Sequence, residues 1–214
     1  HSLGVDVTLV LRADTILRGF DKDICMCLAA EMKKRGITLK TQSVVRGIEK
    51  QGDEYSMRLA GGEILETDLV MYATGRKPNT ANLGLEEVGV QMNDKGAIVV
   101  DEYSSTDVDS IWAVGDVTDR ANLTPVAIAE GAAFAQTVFN NNPTRVDHSN
   151  IPTAVFSTPP IGTVGLTEEE ARVQYGKINV YVSRFRPMKY TLSGRDEQTF
   201  MKLIVDSETD VVVG

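Results

Sequence analysis

Val5-Asp6-Val7-Thr8-Leu9-Val10-Leu11 is the stretch from which the rest of the chain is read. It is β-rich and mostly apolar, the composition of a strand buried in a parallel sheet. A loop containing Arg12, Asp14 and Arg18 follows, and Asp21 then stands where a helix can be capped. Asp21 and Asp23 fall in the first turn, Lys33, Lys34 and Arg35 in the last, and Gly36 at the stop. That order of charge complements the helix dipole. Ile24, Leu28 and Met32 recur at i, i+4 and i+8 and predict the buried face. Ile37–Lys40 begins a second strand, so residues 5–40 read as strand, loop, helix, strand, half of a βαβ unit.

Beyond this unit the pattern changes. Val44–Lys50, Glu54–Ala60 and Glu63–Glu66 predict a meander whose last two strands turn at Gly61-Gly62. Asp68–Thr74 is expected to form an apolar strand that ends in Gly75-Arg76, before Pro78 and Asn79 break the chain. A domain boundary placed there, and a second at the end of the polar stretch 144–150, divide the chain into segments 1–78, 79–149 and 150–214. In the middle segment Ala97–Val100 and Ser110–Val114 read as strands. Thr124-Pro125 opens a helix to about Phe139, with Thr124 as its cap and Pro125 at the first helical position. The polar stretch Thr144–Asn150 reads as a linker in which His148 is solvated. In the last segment strands are expected at Thr153–Ser157, Ile178–Phe185, Phe200–Asp206 and Val211–Gly214. Thr167 and Glu170 make a capping box for a helix that starts at Thr167. The fold class is therefore α/β followed by α+β.

Composition excludes several functions. The chain has 214 residues and a net charge of −8, from 22 basic and 30 acidic side chains, so no basic patch is available to neutralise phosphates of a nucleic acid. No run of about 18 apolar residues is present to cross a membrane. Two cysteines are too few for a disulfide framework, which points to a reducing compartment, expected to be cytoplasmic. His1 leads straight into an apolar stretch, and Val211–Gly214 looks like the middle of a strand. The chain is thus read as an internal segment of a longer protein.

Three groups of residues point to chemistry. In a dinucleotide-binding fold, the loop after the second strand meets the adenosine ribose, and arginine there holds the 2′-phosphate of NADP. Arg12 and Arg18 favour that reading, because a planar guanidinium pairs well with phosphate oxygens. Asp14 between them keeps an NAD reading open, since a carboxylate accepts from a free 2′-hydroxyl. No G-x-G-x-x-G occurs in the chain; if Val5–Leu11 is the second strand, that loop precedes His1. Ile111-Trp112-Ala113-Val114-Gly115-Asp116 reads as a buried strand ending in Gly-Asp, whose carboxylate can accept hydrogen bonds from a polyol. Eight residues later the helix at Thr124 presents free N–H groups and a partial positive charge, suited to the anionic side of a reduced flavin.

Four stretches together carry a resemblance. Ala73-Thr74-Gly75-Arg76-Lys77-Pro78-Asn79-Thr80 resembles the A-T/I-G-R-x-P-N motif of the flavoprotein disulfide reductases. Trp112-Ala113-Val114-Gly115-Asp116-Val117 is similar to their second FAD-binding motif, and Leu123-Thr124-Pro125-Val126-Ala127 to the helix start after it. Val155 to Leu166, through Thr158-Pro159-Pro160-Ile161-Gly162, resembles the opening of their interface domain. The likeness spans nearly the whole chain, in family order and spacing. It implies a partial Rossmann-like NADPH domain, an FAD-contacting segment, and the start of an α+β dimer-interface domain. Phe185-Arg186-Pro187-Met188 and Leu192-Ser193-Gly194 are similar to the members that reduce oxidised glutathione.

The resemblance implies an NADPH-dependent enzyme in which FAD carries electrons to a disulfide substrate, oxidised glutathione, in a homodimer. By it Arg12 and Arg18 bind the NADP 2′-phosphate, Gly75 approaches NADPH, and Asp116 binds the FAD ribityl chain. Thr124 lies beside the isoalloxazine, and Leu123 and Ala154 lie near the cofactors. Two residues depart from the pattern. Ala13 stands where several relatives carry a second basic side chain or histidine, and Ala132 where animal-type members carry an arginine that contacts glutathione. Trypanothione-reducing members carry alanine at the latter position, and Thr118-Asp119-Arg120 and Glu130-Gly131-Ala132-Ala133-Phe134 look like theirs. Trypanothione is therefore the alternative substrate, and a non-catalytic nucleotide-binding or dimerisation module is the alternative from another class. The family's C-x-x-x-x-C pair and its His–Glu acid/base pair match nothing in these 214 residues. Cys25 and Cys27 are one residue apart on a helix and read as structural, and no metal site is expected. These residues alone are expected to be inactive.

Overall fold

Thr8–Val10 (β1), Lys22–Lys34 (α1) and Thr38–Lys40 (β2) form the anticipated strand, helix and strand, with β1 and β2 parallel and Thr8 opposite Thr38. The computed structural model describes residues 1–214. They divide into two compact units, His1–Met71 with Pro152–Gly214, and Tyr72–Ile151.

In the first unit, β1 is shorter than Val5–Leu11 and largely exposed, with Val5 outside it. This corrects the expectation of a buried strand. A pair of strands consists only of edges, so no position in it is flanked on both sides. Helix α1 is capped as expected: Asp21 accepts a hydrogen bond from the Asp23 N–H at 3.0 Å, and Gly36 follows the last turn at φ +97°. Its buried residues are Cys25, Leu28 and Glu31, which centre on Leu28 as the expected stripe does, with Ile24 and Met32 partly buried on the same face. The Glu31 carboxylate is met by Lys34 at 3.0 Å.

Val45–Gln51 (β3), Glu54–Leu59 (β4) and Ile64–Thr67 (β5) form the predicted antiparallel meander. Gly62 at φ +83° closes its turn by donating to the Leu59 carbonyl. Asp68–Thr74 does not form the expected strand; Leu69, Met71 and Tyr72 are exposed. Apolar composition alone does not make a strand where no neighbour supplies a ladder.

The later part of this unit opens with a hairpin of Thr153–Val155 (β6) and Ile161–Thr163 (β7), the second of which was not anticipated. Glu168–Tyr175 forms a helix, called α3 because one in the other unit precedes it, and its Thr167–Glu170 capping box is complete. Ile178–Phe185 (β8) and Thr199–Asp206 (β9) pair over eight residues, from Ile178 opposite Asp206 to Phe185 opposite Thr199. Val211–Gly214 adds a bridge from Val212 to Val205 in place of the expected strand.

Residues distant in sequence are joined here. The Lys202 ammonium, its side chain only 5% exposed, lies 3.0 Å from Asp21 and 2.7 Å from both Asp23 and Glu168. Burial alone would lower its pKa, but the three carboxylates outweigh this and raise it above the ordinary lysine value. A second node joins Arg35 and the Tyr190 hydroxyl to the carboxylate of Glu197.

In the second unit, Val90, Ile98 and Ala113 form a buried cluster against which Leu85, Val100, Val108, Ile111 and Val117 pack. Ala97–Val100 and Ser110–Val114 are irregular segments with single bridges, Met92 to Ile98 and Ser105 to Trp112, where strands were expected. Their backbone groups are satisfied one at a time, as where Ile98 donates to Val117 and Ala113 to Ser104. Helix α2 runs over Thr124–Phe139, as predicted in extent. Its cap is Leu123, with no side-chain bond, and Thr124 is the first helical residue. The Leu123 carbonyl already accepts from Val126 and Ala127, which moves the start one residue towards the N-terminus. No helix is long and apolar enough to cross a membrane.

Candidate cofactor site

The Gly-Asp pair lies on a single 3-10 turn, Gly115–Thr118, which packs on α2. Val114 is extended and Gly115 turns back at φ +72°. A Cβ at Gly115 would lie 3.0 Å from the Ala127 methyl, so glycine is required by both the backbone angle and the approach to α2. Thr118 ties the turn internally by donating to the Gly115 carbonyl at 2.8 Å. Trp112 packs at a tilt of 59° against Phe134 of α2, ring centroids 5.5 Å apart, which holds the preceding segment to the same helix.

Asp116 extends from this turn with its carboxylate half exposed, and Arg76 reaches within 3.9 Å of it. The structure thus brings the Gly75-Arg76 motif to the Gly-Asp turn. Gly75 is exposed at φ +119°, with open space where a Cβ would point. Leu123 and Thr124 lie at the start of α2 in the same unit, Leu123 half-buried and Thr124 exposed. Arg12, Arg18 and Ala154 lie in the other unit. Arg12 and Arg18 are exposed on the loop following β1. Ala154 is exposed on β6 opposite Gly162.

These residues suit the two cofactors. An acceptor-only carboxylate on a rigid turn fits a polyol, and exposed guanidinium groups without internal partners fit a phosphate. The bare backbone at Gly75 fits a close approach.

Sequence reasoning missed the group that supports the turn. Glu130 of α2 is 2% exposed, and its Oε2 accepts the Gly115 N–H at 2.6 Å. Its Oε1 lies 2.9 Å from Nη2 of Arg120 and 2.8 Å from Nε2 of His148. His148 is therefore not a solvated linker residue. A buried carboxylate needs hydrogen-bond donors, and the linker folds back to supply one. The signal was present in Val126, Glu130 and Ala133, a buried stripe at i, i+4, i+7 interrupted by a carboxylate. An open cavity of about 420 Å³ lies beside His148, lined by Glu102, Arg120, Arg145, Val146 and Asp147; none of the expected cofactor-contact residues lines it. Cys25 is buried, with its thiol directed at the carbonyls of Leu17 and Phe20, and burial raises its pKa.

Comparison with known proteins defines the class. Residues 1–131 match the family model described as pyridine nucleotide-disulphide oxidoreductase, and residues 151–214 match the dimerisation domain of the same family. The chain belongs to the pyridine nucleotide-disulphide oxidoreductase family. It is 51% identical over its full length to the chloroplastic/mitochondrial glutathione reductase of Pisum sativum, covering 39% of that protein. It is 49% identical to glutathione reductase of Burkholderia cepacia, covering 48% of it. Trypanothione reductase of Trypanosoma congolense is 45% identical over 99% of the chain and 44% of its own length. The chain spans half or less of the length of these relatives. Among solved structures, the HOCl-induced flavoprotein disulfide reductase RclA from Escherichia coli superimposes with a TM-score of 0.89 at 29% identity. That match covers 98% of this chain and 48% of the other.

Proposed function

We propose that this chain is a segment of an FAD-dependent disulfide reductase that passes electrons from NADPH to oxidised glutathione. The observation that carries the reading is identity near one half to two glutathione reductases across the whole chain. Segment 1–78 serves as part of the NADPH domain, 79–149 as the FAD-contacting segment and 150–214 as part of the interface domain.

Within it, Arg12 and Arg18 grip the NADP 2′-phosphate and discriminate against NAD, which lacks that charge. Gly75 leaves room for the nicotinamide nucleotide to approach the backbone. Asp116 accepts from the ribityl hydroxyls, and release from Arg76 frees its carboxylate to do so. Thr124, at the positive end of α2, faces the pyrimidine side of the flavin, with Leu123 and Ala154 alongside the cofactors. FAD supplies the two-electron relay between nicotinamide and disulfide.

The complete protein acts as a homodimer in the cytoplasm. One face of the β8–β9 pair supports the dimer: Tyr181 opposite Leu203, and Met201 with Phe185, leave an exposed apolar surface.

The test is NADPH consumption by the complete protein with oxidised glutathione as sole acceptor. Rapid glutathione-dependent oxidation is expected. A yellow, FAD-loaded protein that oxidises NADPH with trypanothione instead would move the substrate, in line with Ala132, and leave the class intact.

A further inference from the structure

Gly115 carries the first N–H of a 3-10 turn, a donor that the turn itself cannot satisfy. It is buried, so water does not serve it. Glu130 supplies the acceptor from the second turn of α2, at 2.6 Å. A carboxylate only accepts, so the His148 nitrogen facing it carries the proton and donates. Three donors, from Gly115, Arg120 and His148, thereby fix both oxygens of one buried carboxylate. Arg120 is itself fixed by Ser104 at 2.9 Å, and more weakly by the Asp101 carbonyl and Thr118, both at 3.3 Å. The turn, the helix and the returning linker all meet at Glu130.

The position of Asp116 follows from this. Its own side chain makes one long contact, to Arg76 at 3.9 Å, which does not hold it in place. Its direction is set by the backbone on either side, and the immediately preceding N–H is the one held by Glu130. We propose that Glu130, locked by Arg120 and His148, is a positioning residue that aims the Asp116 carboxylate at the ribityl chain of FAD. The inference rests on the reading of Asp116 as the ribityl-binding residue. Glu130 touches no cofactor; it acts through the Gly115 N–H.

The experiment measures FAD affinity of the apo form of the complete protein, by quenching of flavin fluorescence, for D116A, E130Q and the double variant. Glutamine keeps the size of Glu130 but replaces one oxygen with a donor facing Arg120 and His148. E130Q is expected to weaken FAD binding about tenfold, because a donor facing two donors unlocks the side chain that holds the Gly115 N–H. D116A is expected to weaken it at least as much. The double variant is expected to bind no more weakly than D116A alone, because both substitutions remove one effect. Additive losses would show that Glu130 supports the fold without acting through Asp116, and would overturn the proposal. An unchanged affinity in E130Q beside a weakened D116A also overturns it and leaves the reading of Asp116 standing. An unchanged affinity in D116A overturns both. If E130Q does not fold, H148Q carries the same test, because its half-exposed ring is removed more mildly. Several-fold weakening that disappears in the D116A background is then expected, and its absence overturns the proposal.

Discussion

Lys202 shows how much one side chain can decide. Its ammonium balances Asp21, Asp23 and Glu168 in a place nearly closed to water. Lys202→Met would leave the largely buried Asp21 without its cation, while half-exposed Asp23 turns to water and Glu168 keeps Arg172 at 2.6 Å, and breaking a buried pair from one side costs about 3–5 kcal/mol. Urea denaturation of the complete protein should show a loss of that order; a loss under about 1 kcal/mol would refute the account. Arg12 and Arg18 make the opposite case, since nothing inside the protein depends on them. Replacing either with alanine is expected to raise KM for NADPH about 10–100-fold, the worth of a charge-assisted contact, and to leave stability and the weaker use of NADH unchanged. Steady-state kinetics with the two nucleotides would check this. The exposure of Arg12 and Arg18 could be read from sequence because loops after strands advertise exposed charge. Glu130 and His148 could not, because a carboxylate on a helix and a histidine in a polar linker both look solvated until the chain closes between them.

At the level of elements, signals written within a few residues set the boundaries. Asp21 with Gly36 bounded α1, Thr167 with Glu170 started α3, and Gly61-Gly62 turned β4 into β5. Each is a local hydrogen-bonding rule that needs no distant partner. Asp68–Thr74, Ala97–Val100 and Ser110–Val114 failed as strands for the converse reason: a strand exists only beside another, and apolar composition does not say whether one is there. Thr167→Ala should cost roughly 1 kcal/mol by removing the cap from α3, visible as a shift in thermal midpoint. Gly165→Ala should cost more. The backbone sits at φ +81°, and the new methyl would lie 2.5 Å from the Val213 carbonyl oxygen. A thermal midpoint for the alanine variant no lower than that of Thr167→Ala would contradict this reading.

For the molecule as a whole, acid is the expected weakness. Burial would raise the pKa of Asp21, but the Glu168 N–H and Lys202 outweigh it and hold it below the ordinary range. Lys202 and Arg172 lower Glu168. Burial opposes the lowering of Glu197, but Tyr190 and Arg35 win. A carboxyl depressed in the folded state contributes stability above its unfolded value, and that stability is lost as pH falls through the folded value. Denaturant midpoints should therefore be level near neutrality and fall below about pH 4, and Lys202→Met should flatten that fall. The family was legible from motifs. The union of residues 1–71 with 152–214 was not, because it is made by pairs such as Asp21–Lys202, 181 positions apart. That separation has a consequence for synthesis. The ribosome adds roughly 5–20 residues per second, so α1 waits about 10–40 seconds for the cation that completes its first turn. During that interval Asp21, Asp23 and the neighbouring apolar face of α1 are open to other chains. A nascent polypeptide halted before Lys202 should engage chaperones that the finished unit ignores.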